Sequence, residues 1–277
     1  MTSSWIGQSS QSRPNSGRTS RRGGRAARVA GALLPLLVLT ACGHGGDRAL
    51  PGTVHGERGG RFEKAALADG SRLLITTQGG VRVVGTDDDH VAVDDRTFAR
   101  WTGDGRTHTL DLPCDEADGR AGDNCGGMPL VRVPSGVTLT VRARDAGIDV
   151  SQVRGELSLS TVNGDVTVQD SGTNRGRLHL VTRNGSIRAT GLAARGVGAE
   201  TVDGDVDLLC ATSPDTLDGV TRNGSVRVTL PADAPPYATD AGTTNGRSTV
   251  DVPAAAGDHR HRLTLRTVNG DTEVHRG

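Results

Sequence analysis

The chain has 277 residues, and its 32 basic and 32 acidic side chains give a formal net charge of zero at pH 7. This balance provides no strong electrostatic attraction to nucleic acid, so we expect no nucleic-acid partner. Aromatic residues make up only 2% of the chain and glycine occurs 40 times. Such a composition favours many short strands and turns over the large core of a globular enzyme.

The N-terminal segment has the features of a secretory signal. Residues 1–28 are polar and basic, and the uncharged apolar stretch VAGALLPLLVLT follows at 29–40. This stretch is too short to cross a bilayer as a helix, which needs about 20 residues. A basic region followed by a short apolar core therefore predicts a signal peptide over residues 1–41.

The end of the apolar stretch resembles the bacterial lipobox. Leu39, Thr40 and Ala41 stand directly before Cys42. In that family of signals, the peptidase cuts before the cysteine and a diacylglyceryl group is attached to its sulfur. The resemblance implies that Cys42 is the lipidated first residue of the mature protein. Acyl chains such as palmitate would then hold it at the outer face of the cytoplasmic membrane. The alternative is an ordinary signal peptide with an incidental cysteine.

The segment after Cys42 is a linker by composition. Residues 43–60 are rich in glycine and polar side chains. Together with Cys42 they predict a flexible, lipidated tether over residues 42–60. Beyond it we expect one all-β domain without a long helix. Its N-terminal β-strand region would cover residues 61–135, and its repeat region would cover residues 136–277.

Two cysteines flank a polar loop in the N-terminal region. Cys114 and Cys125 enclose the sequence DEADGRAGDN, and outside the cytoplasm a disulfide between them is the expected state. The alternative is a cation site built from the loop carboxylates, but their spacing fits no EF-hand pattern. Cys210 lies in phase with the apolar residues of DVDLLC, so we expect it to be a small buried residue.

One short phrase recurs six times in the second half of the chain, as in TVNGDV at 161–166 and TRNGSI at 182–187. Each copy contains Asn or Asp followed by Gly, with a threonine two positions before the Asn or Asp, and successive copies are 21, 19, 20, 22 and 24 residues apart. The pairs are Asn163 and Gly164, Asn184 and Gly185, Asp203 and Gly204, Asn223 and Gly224, Asn245 and Gly246, and Asn269 and Gly270. The threonines are Thr161, Thr182, Thr201, Thr221, Thr243 and Thr267. Matches in three columns indicate a structural repeat.

The residues on both sides of each Asn-Gly pair alternate between apolar and polar. In the first copy Leu157, Leu159, Val166 and Val168 are apolar, and the residues between them are mostly polar. Strict alternation places the apolar residues on one face of a strand. Each unit is therefore predicted to be a strand, an Asn-Gly corner and a second strand.

The corner chemistry is compatible with two folds. Asn and Asp tolerate positive φ better than other residues, and Gly has no Cβ to clash there. In a β-solenoid of about 20-residue coils, the corners stack along one edge, and Thr and Asn side chains can form ladders. In an antiparallel sandwich or meander, each Asn-Gly is a hairpin turn. The near-constant interval favours the single-stranded β-solenoid, and the hairpin fold remains the alternative.

The residues next to the corners also alternate. The position before the Asn or Asp reads Val162, Arg183, Val202, Arg222, and the position after the Gly reads Asp, Ser, Asp, Ser. We interpret this as alternate units lying on opposite edges of the domain. The last two copies do not follow the alternation.

These features together resemble a bacterial envelope family of candidate adhesins, a domain of unknown function. The resemblance rests on the lead-in RVPSGVTLTV at 132–141 and on the T-x-N-G-D units between Leu157 and Val274. It implies a β-solenoid-like, all-β domain displayed on the cell envelope. It implies no catalytic residue.

Few residues point to catalysis or metal binding. His259 and His261 would place two imidazoles on one face of a strand, but no cysteine or carboxylate cluster accompanies them. The sequence contains neither a nucleophile elbow nor a phosphate-binding loop. We therefore predict no metal site, no cofactor and no enzymatic activity.

The sequence as a whole predicts a membrane-anchored, extracytoplasmic lipoprotein. Its folded part would be a non-catalytic, adhesin-like binding or scaffold domain displayed on the cell surface, with an envelope polymer or protein as partner. The alternative is a regulatory or sensory accessory of an envelope stress or signalling system.

Overall fold

The computed structural model describes residues 62, 64–68, 70–94, 97–114, 127–256 and 260–277. All of them belong to one compact unit, residues 54–277. The signal peptide, Cys42 and the tether lie outside the described residues, so the lipidation of Cys42 and the boundaries of these segments stay predictions. Cys125 also lies outside them, so its disulfide with Cys114 stays a prediction too.

The described part of the chain is built from β-strands and contains no helix, so no helix there is long and apolar enough to cross a membrane. The strands are β1 (Lys64–Ala66), β2 (Arg72–Thr77), β3 (Val81–Thr86), β4 (His90–Val93), β5 (Arg100–Asp104), β6 (Thr107–Leu112), β7 (Leu130–Pro134), β8 (Thr138–Arg142), β9 (Ile148–Ser151), β10 (Leu157–Ser160), β11 (Val166–Gln169), β12 (Gly172–Val181), β13 (Ile187–Glu200), β14 (Val206–Cys210), β15 (Thr216–Val220), β16 (Val226–Leu230), β17 (Ala238–Asn245), β18 (Ser248–Asp251), β19 (Arg262–Asn269) and β20 (Thr272–Arg276).

The strands form two parallel ladders with a shared core. One ladder, sheet B, runs through β6, β2, β8, β10, β12, the second half of β13, β15, β19 and β17. The other, sheet A, runs through β7, β3, β9, β11, the first half of β13, β14, β16, β20 and β18. Each coil contributes one strand to each sheet, which confirms the predicted β-solenoid-like fold.

The hairpin alternative is wrong because each repeat strand pairs with the equivalent strand of another coil and not with the strand across its own corner. Leu157 is in register with Leu178, and Val166 is in register with Ile187. A parallel partner therefore always lies one coil away, and the Asn-Gly pair connects two sheets.

The core consists of the apolar residues that alternate along each strand. Stacked columns of leucine, valine and isoleucine, such as Leu157, Leu178 and Leu217, are almost completely buried between the sheets. Because similar apolar side chains lie above one another in successive coils, a short repeat suffices to build a continuous core.

The order of coils in space differs from their order in the chain at both ends. The last coil, β19 and β20, is inserted between the coil of β15 and β16 and the coil of β17 and β18. At the other end, β2 and β3 lie between the coil of β6 and β7 and the coil of β8 and β9. At each end, the outermost coil of the parallel ladders is therefore not the first or last one in the chain.

The two ends of the solenoid are finished differently. At the N-terminal end, antiparallel strands cover the last parallel strands, since β5 pairs with β6, β4 pairs with β7, and β1 pairs with β4. Phe62, Trp101 and His108 stack their rings at this end. At the C-terminal end, β17 and β18 each pair with a strand on one side only, within the described residues.

Candidate functional site

The Asn-Gly corners stack on one edge of the solenoid, which we call the corner ridge. It comprises the turns centred on Asp145, Asn163, Asn184, Asp203, Asn223, Asn269 and Asn245, in spatial order. Bridges join Asn163 to Asn184, Asn184 to Asp203, Asp203 to Asn223, and Asn223 to Asn269. All repeat corners therefore lie on the same edge, and the interpretation that alternate units occupy opposite edges is wrong.

The repeat threonines fasten each corner to the one before it. The Oγ1 atom of Thr182 donates to the carbonyl oxygen of Gly164 at 2.8 Å, and Thr201 Oγ1 donates to Gly185 O at the same distance. The other repeat threonines make the equivalent bond. All of these threonines except Thr243 are buried, and the bond gives each buried hydroxyl a hydrogen-bond partner on the neighbouring corner.

The asparagine side chains form a second ladder on the surface of the ridge. Asn184 Nδ2 donates to Asn163 Oδ1 at 2.7 Å, and Asn223 Nδ2 donates to Asp203 Oδ1 at 2.7 Å. Asn269 and Asn245 continue the series. The ladder is broken between Asn184 and Asp203, because a carboxylate has no hydrogen to donate to the amide oxygen.

The glycines allow the corners to approach closely. Gly164 and Gly270 have φ values of 144° and 143°, which side chains rarely adopt. A Cβ atom on Gly185 would lie 2.2 Å from the carbonyl oxygen of Gly164. The glycine in the repeated phrase is therefore needed for stacking as much as for turning.

The alternating residues after the glycine have a structural role. The backbone N–H of Ser186 donates to Asp165 Oδ1, that of Asp205 to Ser186 Oγ, and that of Ser225 to Asp205 Oδ1. The inserted coil adds Asp271, whose N–H donates to Ser225 Oγ. In sequence, the last two copies break the alternation of Asp and Ser. In space it continues with Asp271, because the coil of β19 and β20 lies next to the coil that carries Ser225.

The residues before the Asn or Asp project from the ridge and alternate in the same way. In spatial order they are Arg144, Val162, Arg183, Val202, Arg222, Val268 and Thr244. Val162 and Val268 are each 40% exposed, and the three arginines are exposed. Within the described residues none of these arginines has an ion-pair partner. The ridge therefore presents guanidinium groups on every second coil, with an apolar side chain between them.

A polar cleft lies on the opposite edge, where sheet A strands return to sheet B. Its volume is about 390 Å³, and it is lined by Asn174, Ala194, Arg195, Thr212, Ser213, Asp215 and Arg260. Arg195 Nε donates to Asp215 Oδ2 at 3.2 Å, whereas Arg260 has no ion pair in the described part of the chain. Sequence analysis missed this cleft because its charged residues come from different coils.

His261 and Cys210, which the sequence singled out, are both held by contacts within the fold. His261 packs against the ring of Tyr237, and its Nδ1 lies 3.2 Å from Pro214 O, while His259 is outside the described residues. Cys210 is buried, as expected, and burial raises the pKa of its thiol to about 12. Nowhere in the described ranges do three His, Cys, Asp or Glu side chains converge as metal ligands.

Two solved structures are similar to this chain. One is a candidate cell adhesion protein from Clostridium sporogenes, with 8% identity, a TM-score of 0.35, and coverage of 78% of this chain and 98% of the other. The other is a candidate adhesin from Parabacteroides merdae, with 11% identity, a TM-score of 0.39, and coverage of 78% and 95%. No curated protein matches the chain.

The sequence pattern of one domain family matches the repeat region. That family is Toastrack DUF4097, and the match covers residues 135–275, just over half of the chain. The matched range contains the corner ridge from Asp145 onward. The chain therefore belongs to the Toastrack DUF4097 family.

Proposed function

We propose that this protein is an extracytoplasmic lipoprotein whose Toastrack domain is a non-catalytic, adhesin-like binding scaffold. Lipidated Cys42 and the tether of residues 42–60 hold the domain at the outer face of the cytoplasmic membrane. The signal-like sequence of residues 1–41 and membership of the Toastrack DUF4097 family support this proposal.

The observation that carries the proposal is the outward column of the corner ridge. Its arginines recur on every second coil, at a spacing of about 9.6 Å, given about 4.8 Å between strands. The threonine and asparagine ladders beneath hold the backbone in place. A surface that is ordered before binding loses little conformational entropy when a partner docks.

The chemistry of the column defines the kind of contact it can make. Free guanidinium groups donate in a planar fork that suits carboxylate or phosphate groups. The valines between them, of which Val162 is 40% exposed, add apolar contact. The ridge carboxylates, by contrast, accept hydrogen bonds from the next coil: Asp165 and Asp205 from backbone N–H groups, and Asp203 from the side chain of Asn223. These bonds tie them to the architecture. These contacts support a binding role over an acid–base role.

The test distinguishes binding by the ridge arginines from binding by any exposed arginine of the domain. Residues 43–277, which carry no lipid, are incubated with isolated cell-envelope fractions, so that membrane insertion of acyl chains does not mask ridge binding. The bound fraction is measured for this parent, for Arg144→Ala/Arg183→Ala/Arg222→Ala, and for a control. The control, Arg132→Ala/Arg177→Ala/Arg188→Ala, removes three exposed arginines from the sheet faces and leaves the ridge intact. We expect the ridge variant to lose at least tenfold in binding and the control to retain it. Equal losses would refute the ridge as the binding surface.

The anchor is tested separately. Mass spectrometry of the mature N-terminus should show a lipid-modified Cys42, and Cys42→Ala should release the protein from the membrane fraction. An unmodified N-terminus upstream or downstream of Cys42 would contradict the lipoprotein proposal without bearing on ridge binding.

A further inference from the structure

The C-terminal end of the solenoid is an open edge. β17 and β18 pair with β19 and β20 on their inner side. On the outer side, the described residues contribute only 253–255, which bond to Tyr237 just before β17 begins and leave both strands uncovered. At the opposite end, antiparallel strands cover the outermost parallel strands, β6 and β7. Exposed edges of this kind promote pairing with another chain, and repeat proteins normally cap them.

The side chains of this outermost coil do not complete a core. Thr239 and Ala241 stand in register with the buried Leu263 and Leu265 of the neighbouring coil. Val250 is 45% exposed, whereas Val274 beside it is fully buried. The hydroxyl of Thr239 is buried and has no hydrogen-bond partner within the described residues. The positions that are buried in the inner coils are therefore partly exposed to solvent at this end of the solenoid.

The backbone of the open edge points its polar groups outward at defined residues. Tyr237 N–H donates to Pro253 O on the outer side, whereas Ala238 N–H donates inward to His261 O. Successive residues of a strand point to opposite sides, so the backbone groups of Thr239, Ala241 and Thr243 point outward. On β18 the carbonyl of Arg247 accepts from Thr272 N–H on the inner side, which leaves Ser248 and Val250 pointing outward.

We propose that this edge pairs with the same edge of a second copy of the chain, in antiparallel orientation about a two-fold axis. The axis passes through both sheets, so β18 pairs with β18 of the second copy and β17 pairs with its β17. Centring the β18 pair on Thr249 sets Ser248 opposite Val250 of the second copy, which is the hydrogen-bonded arrangement that their outward backbone groups require.

Charge complementarity favours a second copy as the occupant. In the same register, Arg247 faces Asp251 of the second copy, and symmetry repeats this pair. Both side chains are exposed, and neither has an ion pair in the described part of the chain. An interface in which each surface complements itself closes after two copies. Because the other end carries antiparallel strands and no copy of this edge, the two-fold pairing uses up the edge of both copies, and the assembly stops at a dimer.

The test uses the full-length chain in native membranes. Thr249→Cys places a thiol on the two-fold axis at a non-hydrogen-bonded antiparallel pair, where the two Cα atoms are about 4.5 Å apart. Mild oxidation with diamide should convert most of this variant into a disulfide-linked dimer on a non-reducing gel. The control, Gln169→Cys, carries an exposed thiol on the same sheet in the middle of the solenoid. It should give at least tenfold less dimer.

Charge reversal then tests the register. In the Thr249→Cys background, Arg247→Asp should lower the dimer yield about fivefold, because two like-charged pairs now face each other. Adding Asp251→Arg should restore it. Equal cross-linking of the two cysteine variants, or insensitivity to charge reversal, would overturn the proposal. So would co-purification of a different protein cross-linked to the thiol of the Thr249→Cys variant in place of the dimer.

Discussion

Asn184 and Asp203 lie on adjacent coils of the corner ridge and face each other without a hydrogen bond between their side chains. Asn184 donates to Asn163, and Asp203 accepts from Asn223, so the ladder has a donor missing at this one step. An amide oxygen and a carboxylate cannot bond to each other. The step is therefore the weakest contact in an otherwise continuous series.

Replacing the acid at this step should stabilise the protein. Asp203→Asn supplies an N–H₂ group for Asn184 Oδ1 and keeps the acceptor for Asn223, so we expect a gain of about 1 kcal/mol in the free energy of unfolding. Chemical denaturation at pH 7 measures it. Asp203→Ala is the matched control, since it removes the acceptor and should destabilise. A destabilised Asp203→Asn variant would show that the carboxylate has another role.

The buried threonine ladder should be sensitive to loss of a single hydroxyl. Thr201→Val keeps the side-chain shape but leaves the carbonyl of Gly185 without its 2.8 Å donor, which should cost about 1–3 kcal/mol. Thr201→Ser keeps the hydroxyl and should recover most of that loss. If both variants have the same unfolding midpoint, the hydrogen bond is not the stabilising element.

The corner glycines should not tolerate even a methyl group. Gly185→Ala would place Cβ 2.2 Å from Gly164 O, and neither backbone can move without separating the stacked coils. We expect a loss of at least about 2 kcal/mol. At Gly136 a Cβ meets no atom within 4 Å, so Gly136→Ala should change stability little. Thermal unfolding of the two variants gives the comparison.

A thiol count tests the cysteine assignments together. Because burial raises the pKa of Cys210 to about 12, its thiol should not react with a thiol reagent at pH 8 in the folded protein. If Cys114 and Cys125 are joined and Cys42 carries its lipid, the unfolded, unreduced chain should then release one thiol. Three thiols after unfolding would contradict the disulfide, whereas one thiol before unfolding would contradict the burial of Cys210.

The fold could be predicted from the sequence because each repeat contains the residue pattern that determines its own strands and corner. Alternation around Leu157 and Val166 fixes which face of each strand is buried, and the Asn-Gly pair at 163–164 fixes the corner. The interval between repeats could not predict the spatial order of the coils. The last coil, β19 and β20, is inserted between two coils that precede it in the chain. The sequence of Asp and Ser residues after the glycines contained that information, since the alternation is regular only in the swapped order.

The polar cleft could not be predicted for a different reason. Arg195 lies in the middle of β13, and Asp215 and Arg260 come from turns that have no repeated phrase, so nothing in their local sequence places them together. The same holds for the open edge of β17 and β18. Their residues fit the repeat, and only the pairing of the complete solenoid shows that they lie at its end.

The inserted terminal coils also constrain how the chain reaches its native state. A solenoid that follows chain order could lengthen as synthesis proceeds, each coil docking on a finished predecessor. Here β17 and β18 have no parallel partner strands until β19 and β20 have been synthesised and have inserted between them and the coil of β15 and β16. Truncation at residue 261 would therefore remove β19 and β20 from inside the stack. The outer coil, β17 and β18, would lose the strands with which it pairs.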